Sequence, residues 1–180
     1  FDNELVSNNP LQGESEFANG GPTRHLGAEA TASVRFGKGL ALPFDLDLAA
    51  QYTFVQAHFV GGDYDGKTVP YSPVSSANVT LDVASPFGLS GQVALGYIGA
   101  QYTDSNNTVE PGVAGLDGVI DAYTTLDVAA RYRYAPSGVS FGVTAKSLLD
   151  KVYISDRLPN GIFTAGFRQI FATFAWSSDG

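Results

Sequence analysis

This sequence predicts an all-β fold: an antiparallel transmembrane β-barrel wall, with one face turned to lipid and the other to an aqueous lumen. Three observations carry the prediction. Apolar and polar residues alternate at period two through most of the 180 residues. Aromatics and glycine are plentiful (12 Phe, 9 Tyr, 21 Gly) while charged residues make up only 16%, a composition suited to strands and turns rather than helices. Finally, the links between the alternating stretches are by turns short and long, as in a meander with plain turns at one end and elaborated loops at the other.

Eight stretches qualify as strands. The first is DNELVSN, residues 2–8. In HLGAEATASVRF, Leu26, Ala28, Ala30, Ala32, Val34 and Phe36 alternate with His25, Gly27, Glu29, Thr31, Ser33 and Arg35. FDLDLAAQYTF places Phe44, Leu46, Leu48, Ala50, Tyr52 and Phe54 opposite Asp45, Asp47, Ala49, Gln51 and Thr53. ANVTLDV sets Val79, Leu81 and Val83 against Asn78, Thr80 and Asp82. SGQVALGYIGAQY is noisier, because Ile98 and Tyr102 fall in the polar register. TTLDVAARYRY alternates Leu126, Val128, Ala130, Tyr132 and Tyr134 with Thr125, Asp127, Arg131 and Arg133. VSFGVTAKSLL keeps phase only to Lys146, and FRQIFATFAW closes the series.

The links near KGLALP, SPFGLS and APSG are short and carry Gly, Pro and Ser turn signals. Residues 9–24, 62–74, 105–122 and 155–166 form the long ones, expected outside the cell, with the short turns and Gly180 in the periplasm. A soluble sandwich or lipocalin-like barrel would instead bury the apolar face. Two features favour lipid: small residues on the polar face (Gly27, Ser33, Ala49, Thr53, Gly142), and strands of roughly 9–12 residues, longer than the usual five or six. Tyr52, Phe54, Tyr132, Tyr134, Phe174 and Trp176 fall near strand ends, where interfacial girdles belong. No apolar run approaches the roughly 20 residues of a membrane-spanning helix.

Several function classes drop out. With no Cys there is no thiolate metal site and no cysteine nucleophile. A net charge of −8 disfavours a nucleic-acid partner. His25 and His58 are the only histidines and accompany no nucleophile motif, so an enzyme is not expected. GGDYDGK has an Asp-x-Asp-Gly look through Asp63, Asp65 and Gly66, but it lacks the later acidic ligand of a calcium loop, and no metal or cofactor is expected. No Met or leader-like segment opens the chain, as expected of a processed or partial polypeptide.

The stretch KSLLDKVYISDRLPNGIFTAGFRQIFATFAW, residues 146–176, resembles the end of TonB-dependent outer-membrane transporters. Leu148, Asp150 and Tyr153 match an Asn-Leu-Phe-Asp-x-x-Tyr pattern in which Ser147 and Leu149 differ. Phe174 and Trp176 match the paired aromatics of a barrel-assembly signal, although Phe171 stands where that signal usually has Gly and four residues follow Trp176. Upstream, Arg24, Gly27 and Glu29 resemble one strand motif of the family, and Gly66, Val69, Pro70 and Pro73 a Gly-x-x-Val-Pro-x-x-Pro loop.

The resemblance implies the C-terminal portion of a barrel of about twenty-two strands. It also implies a plug and earlier strands supplied outside residues 1–180, energy from the TonB complex, and import of a small-molecule metal chelate such as a ferric siderophore or ferric citrate. The alternative is a self-contained eight-stranded barrel with a structural or adhesive role. For a ligand, the loops offer Arg24, Lys67 and Arg157 as cations and Tyr64, Tyr71 and Phe163 as aromatic surfaces, among a larger number of acidic residues.

Overall fold

The computed structural model describes residues 5–7, 17–36, 42–158 and 160–177. In chain order the strands are β1 (Leu5–Ser7), β2 (Phe17–Asn19), β3 (Thr23–Arg35), β4 (Asp45–Phe59), β5 (Ser75–Ala84), β6 (Leu89–Ile98), β7 (Gln101–Tyr102), β8 (Val119–Ile120), β9 (Tyr123–Tyr134), β10 (Val139–Lys146), β11 (Tyr153–Leu158), β12 (Gly161–Ala165) and β13 (Gln169–Trp176). Seven of them form one antiparallel sheet in the order β13-β10-β9-β6-β5-β4-β3. With the three short two-stranded ladders β7-β8, β11-β12 and β1-β2 removed, that order is a simple meander.

The expected first strand is the exception. Of residues 2–8, Leu5–Ser7 pairs with Phe17–Asn19 in a ladder of its own and does not join the wall. The wall therefore holds seven of the eight expected strands. β4 runs five residues beyond the predicted Phe54, because its extra length pairs with the start of β3. The predicted SGQVALGYIGAQY strand breaks at Gly99-Ala100, and Gln101–Tyr102 turns away to pair with Val119–Ile120. Ile98 keeps the interior register, opposite Ser76 and Tyr123, which accounts for its misplaced look in the sequence.

Cross-strand register separates the two faces. One row reads Val34, Leu48, Leu81, Val93, Val128, Ala145 and Ile170, apolar across all seven strands. Because side chains alternate, the adjacent row lies on the opposite face and reads Arg35, Asp47, Asp82, Gln92, Ala129, Thr144 and Phe171. Small Ala129 and bulky Phe171 are the two apolar members of this row. Arg35 Nε donates to Asp47 Oδ1 at 2.6 Å, and Gln92 Nε2 to Asp82 Oδ1 at 2.8 Å. Charges thus pair on the wet face, while the lipid face carries none in this belt.

Aromatics bound the apolar face. At the short-turn end Tyr132, Phe141 and Phe174 stand in one row, with Tyr134 and Trp176 flanking Val139 in the next. Phe44 and Phe54 share Leu46's register and lie ten residues apart. Extended chain rises about 3.3 Å per residue, so a strand tilted by roughly 40° spans about 25 Å over that distance, the height of a barrel's apolar band.

Loops and turns segregate by end. Ala84 to Leu89 and Tyr134 to Val139 close tightly, the second through a 3₁₀ turn at Ala135–Ser137. Gly88 (φ 87°) and Gly138 (φ 66°) supply the left-handed residues these turns need; a Cβ on either would strike a backbone oxygen, of Arg133 and Ser177 respectively. Residues 60–74, 99–122 and 147–168 gather at the other end. The long connections expected at 62–74, 105–122 and 155–166 lie within these stretches, whereas Thr23 and Arg24, expected at the end of a loop, begin β3. Gly180 lies outside the described residues.

The strand order leaves β3 and β13 as the two edges of an open sheet among the described residues. An open edge is untenable in lipid, where backbone groups have no water to bond, so this sheet is a sector of a larger barrel.

Candidate functional site

The three long connections meet above the interior face. The 60–74 loop folds back on β4: Phe59 N donates to Lys67 O at 2.9 Å and Val69 N to Ala57 O at 3.0 Å. That buries Ala57, Phe59 and Val69 against Val55 and Tyr64. Full burial of the Phe59 ring alone contributes about 1.5–3 kcal/mol, enough to hold the loop's base. Asn107, at φ 56°, reaches from the second loop and clasps Thr68, accepting from its amide at 2.7 Å and donating to its carbonyl at 2.8 Å. Asp104 holds Asn107's turn by accepting from the amides of Asn106 and Thr108.

Arg157, on β11 of the third connection, joins all three loops. Its carbonyl accepts the Tyr71 hydroxyl of the first loop, and its guanidinium Nη1 donates to the Gly115 carbonyl of the second. Tyr71 N also donates to Tyr102 O at 2.8 Å. Burial pushes the Tyr71 phenol above its ordinary pKa, so it stays a proton donor to Arg157's carbonyl across the physiological range.

The base of the third connection is a clamp. Arg168 donates through its amide (3.0 Å) and its guanidinium (2.7 Å) to the two oxygens of Asp150, and these charge-assisted bonds hold the Asp150 carboxyl below the usual carboxylate range. Tyr153 stacks on Tyr123 of β9, and Gly166 (φ 95°) lies against the Tyr153 ring. Under the loops, the interior face forms a concavity of about 280 Å³. Gln51, Thr53, Ser76, Asn78, Tyr123 and Thr125 line it with uncharged hydrogen-bonding groups.

Of the six residues proposed for ligand contact, the structure brings Tyr71 and Arg157 together. Phe163 stands one position from Ile162, Arg157's partner across the β11-β12 ladder, with its ring half exposed. Tyr64 is taken up by packing, its ring centre 5.5 Å from that of Phe59. Lys67 projects from the first loop, exposed. Arg24 departs from the expectation: it falls in Leu26's register, opposite His58, on the outward face of β3 and away from the loop cluster. Charge and loop position nominated it, but strand phase turns it outward. Phe174 and Trp176 stand on the lipid face, each 65% exposed. Sequence reasoning missed Gly115, Asn107 and Tyr123. Glycine in a Gly-rich loop and Asn in a turn carry no sign of which distant loop they will meet.

Together, the apolar belt, the polar interior, the open edges and the loops converging over one end define a sector of a large transmembrane β-barrel. The chain belongs to the TonB-dependent receptor family: the family model described as TonB dependent receptor-like, beta-barrel matches residues 1–146. Among solved structures it is similar to the ferric citrate transporter FecA in its unliganded form, with TM-score 0.75 and 22% identity over 96% of this chain and 27% of that one. It is also similar to the siderophore receptor PiuA from Acinetobacter baumannii (TM-score 0.70, 18% identity, 96% of this chain and 24% of that one). A third is the ferric yersiniabactin uptake receptor FyuA from Yersinia pestis (TM-score 0.66, 21% identity, 86% and 23%). At these identities the likeness is one of fold. The chain spans about a quarter of the length of each of these structures. No curated protein sequence matches it.

Proposed function

We propose that these residues form the C-terminal sector of a bacterial outer-membrane importer that takes up a ferric siderophore or ferric citrate with energy delivered by TonB. One observation carries the reading: an open seven-stranded wall, lipid-facing on one side, gathers its three long loops over the polar side. Open edges call for further strands. The polar interior and the 280 Å³ concavity suit a plug or a cargo better than a packed apolar core. The family membership and the iron-receptor neighbours support the class of cargo.

In this reading the partners are outer-membrane lipid, an N-terminal barrel and plug portion, the TonB complex reached through that portion, and the metal chelate. The loops lie outside the cell and the short turns in the periplasm. No side-chain constellation for bond-making chemistry is involved; the work is binding and passage.

Radio-iron uptake tests the proposal. Cells lacking the full-length receptor should lose uptake of at least one ferric chelate and regain it on complementation. Uptake should also stop when TonB is deleted or the proton gradient is collapsed. Uptake that persists without TonB would sink the energised reading, and normal growth of the deletion strain on every ferric chelate tried would sink the iron reading.

A further inference from the structure

Arg24 is a cation on the face that turns to lipid. It is exposed and shares the register of Leu26, Ala28 and Ala30 on β3. Opposite it on β4 stands His58, and the bridge from His58 to Thr68 carries the row onto the first long loop. Arg24, His58 and Thr68 thus stand side by side on three backbone segments, on the outward face. The chain's net charge is −8, yet the outward positions of β3, β4 and β5 hold no Asp or Glu. The ion pairs found among the described residues, Arg35 with Asp47 and Arg168 with Asp150, leave Arg24 out.

Depth decides what this row meets. Phe54, opposite Ala28, marks the loop end of the apolar band, and the Arg24–His58 pair lies four residues beyond it. At about 3.3 Å per residue and a tilt of roughly 40°, that is about 10 Å further from the bilayer centre, at the level of the polar headgroups. The long Arg side chain can also lean along the apolar surface while its charged end stays among those headgroups.

We propose that Arg24, flanked by His58 and Thr68, binds a phosphate monoester on a headgroup of the membrane leaflet at the loop end of the wall. Adjacent strands lie about 4.8 Å apart, so the three side chains can converge on one phosphate. The guanidinium fork takes two of its oxygens, and the imidazole and hydroxyl supply further donors. Thr68 is also the residue whose amide and carbonyl Asn107 clasps, so a bound headgroup braces the junction of the first two loops from the lipid side. The interior face takes no part, because alternation turns the neighbours His25 and Ala57 inward. The inference rests on the uptake reading for which end of the wall faces outside, but the chemistry of Arg24 is tested apart from it.

The test is native mass spectrometry of the full-length receptor released from micelles that carry lipid A, with its phosphate monoesters, or phosphatidylcholine. Wild type should retain lipid A in preference. Arg24→Gln should weaken that retention by about fivefold, the effect of one cation at an anionic lipid surface. Arg24→Lys, which keeps the charge and loses the fork, should fall between. Arg131→Gln removes the same charge from the interior face and should leave retention unchanged. Unchanged hydrogen exchange in β5 and β6 certifies an intact wall. Equal retention by wild type and Arg24→Gln overturns the proposal, as does a wild type that holds both lipids equally. An equal loss in Arg131→Gln would reduce the effect to overall charge and overturn it too. Displacement of lipid A by an equal concentration of inorganic phosphate would make this a site for free phosphate and remove the lipid. Radio-iron uptake separates the two readings: Arg24-dependent retention without ferric-chelate uptake keeps the lipid site and removes the iron cargo. Uptake by a receptor that shows no preference for lipid A keeps the cargo and removes the site.

Discussion

Tyr123 and Tyr153 stack face to face, with ring centres 3.8 Å apart and planes 6° from parallel. Tyr123 opens β9 and lines the interior concavity, while Tyr153 opens β11, so the stack seats the third long connection on the wall. Isolated aromatic pairs prefer offset or edge-to-face arrangements, so near-complete overlap points to restraint from the surroundings. Gly166 supplies some of it: a Cβ there would stand 2.9 Å from Tyr153 Cδ1.

Tyr153→Ala should therefore loosen the β11-β12 hairpin without disturbing the wall. The pair is worth about 0.5–1.5 kcal/mol beyond area burial, so exchange in residues 153–165 should quicken several-fold. Gly166→Ala should loosen the same hairpin chiefly through the backbone, because at φ 95° a Cβ there would strike the Lys151 carbonyl oxygen before it crowds the Tyr153 ring. Exchange unchanged in that hairpin for both variants would show that the stack is incidental.

The Asp150–Arg168 clamp carries a pH dependence of definite sign. Asp150's carboxyl is depressed by the Arg168 amide, then by its guanidinium, so the folded state favours the charged form. Stability from a depressed carboxyl is present above the unfolded value, about 4, and is lost as pH falls through the lower folded value. Both side chains are about half exposed, so salt should weaken the pair at any pH. Protease cleavage within 147–168 should rise in acid for the wild type. Asp150→Asn should already show that rise at neutral pH. A wild-type loop whose cleavage is flat with pH would remove the clamp from the loop's stability.

Strand phase predicts opposite outcomes for neighbouring residues. Leu81 lies in the apolar row between Leu48 and Val93, while Asp82 lies between Asp47 and Gln92. Leu81→Arg should destabilise the barrel by about 2–4 kcal/mol, the cost of a charge at the bilayer midplane, and Asp82→Arg should cost far less. Chemical denaturation from lipid vesicles measures both. Equal losses would place the faces wrongly.

Why this much was legible follows from the same contrast. Period two forces a choice of face at every residue, so the wall could be read from the sequence, and the Leu48–Leu81–Val93 row bears it out. Ile98 looked like noise because it puts an apolar side chain on the wet face, where it lines the interior concavity. Loops obey no period. Arg157 was singled out by its charge, but nothing local indicates that Gly115, 42 positions away, would take its Nη1. Asp150 and Tyr153 stood out as a motif, yet the clamp and the stack that employ them became visible only when Arg168 and Tyr123 were brought beside them.

Phe174 and Trp176 complete the contrast between faces. Phe174 pairs with Phe141, ring centres 5.2 Å apart, and Trp176 lies opposite Val139 on the outward face at the short-turn end. Both sit far from Arg157 along the strands, because the loops gather at the opposite end. A side chain directed to lipid cannot also reach the interior, since alternation sends only its neighbours there. On the proposal that Phe174 and Trp176 anchor the edge strand at the interface and serve barrel assembly, the double change Phe174→Ala and Trp176→Ala should lower the amount of receptor inserted in the outer membrane. Under the proposed uptake function, receptor that does insert should bind ferric chelate with near-normal affinity. Immunoblots of outer-membrane fractions and radio-iron binding by the same fractions read the two effects separately. Normal insertion with binding lost would mean that this face lines a ligand pocket, and the register that places Ile170 and Ala172 in lipid would have to be inverted.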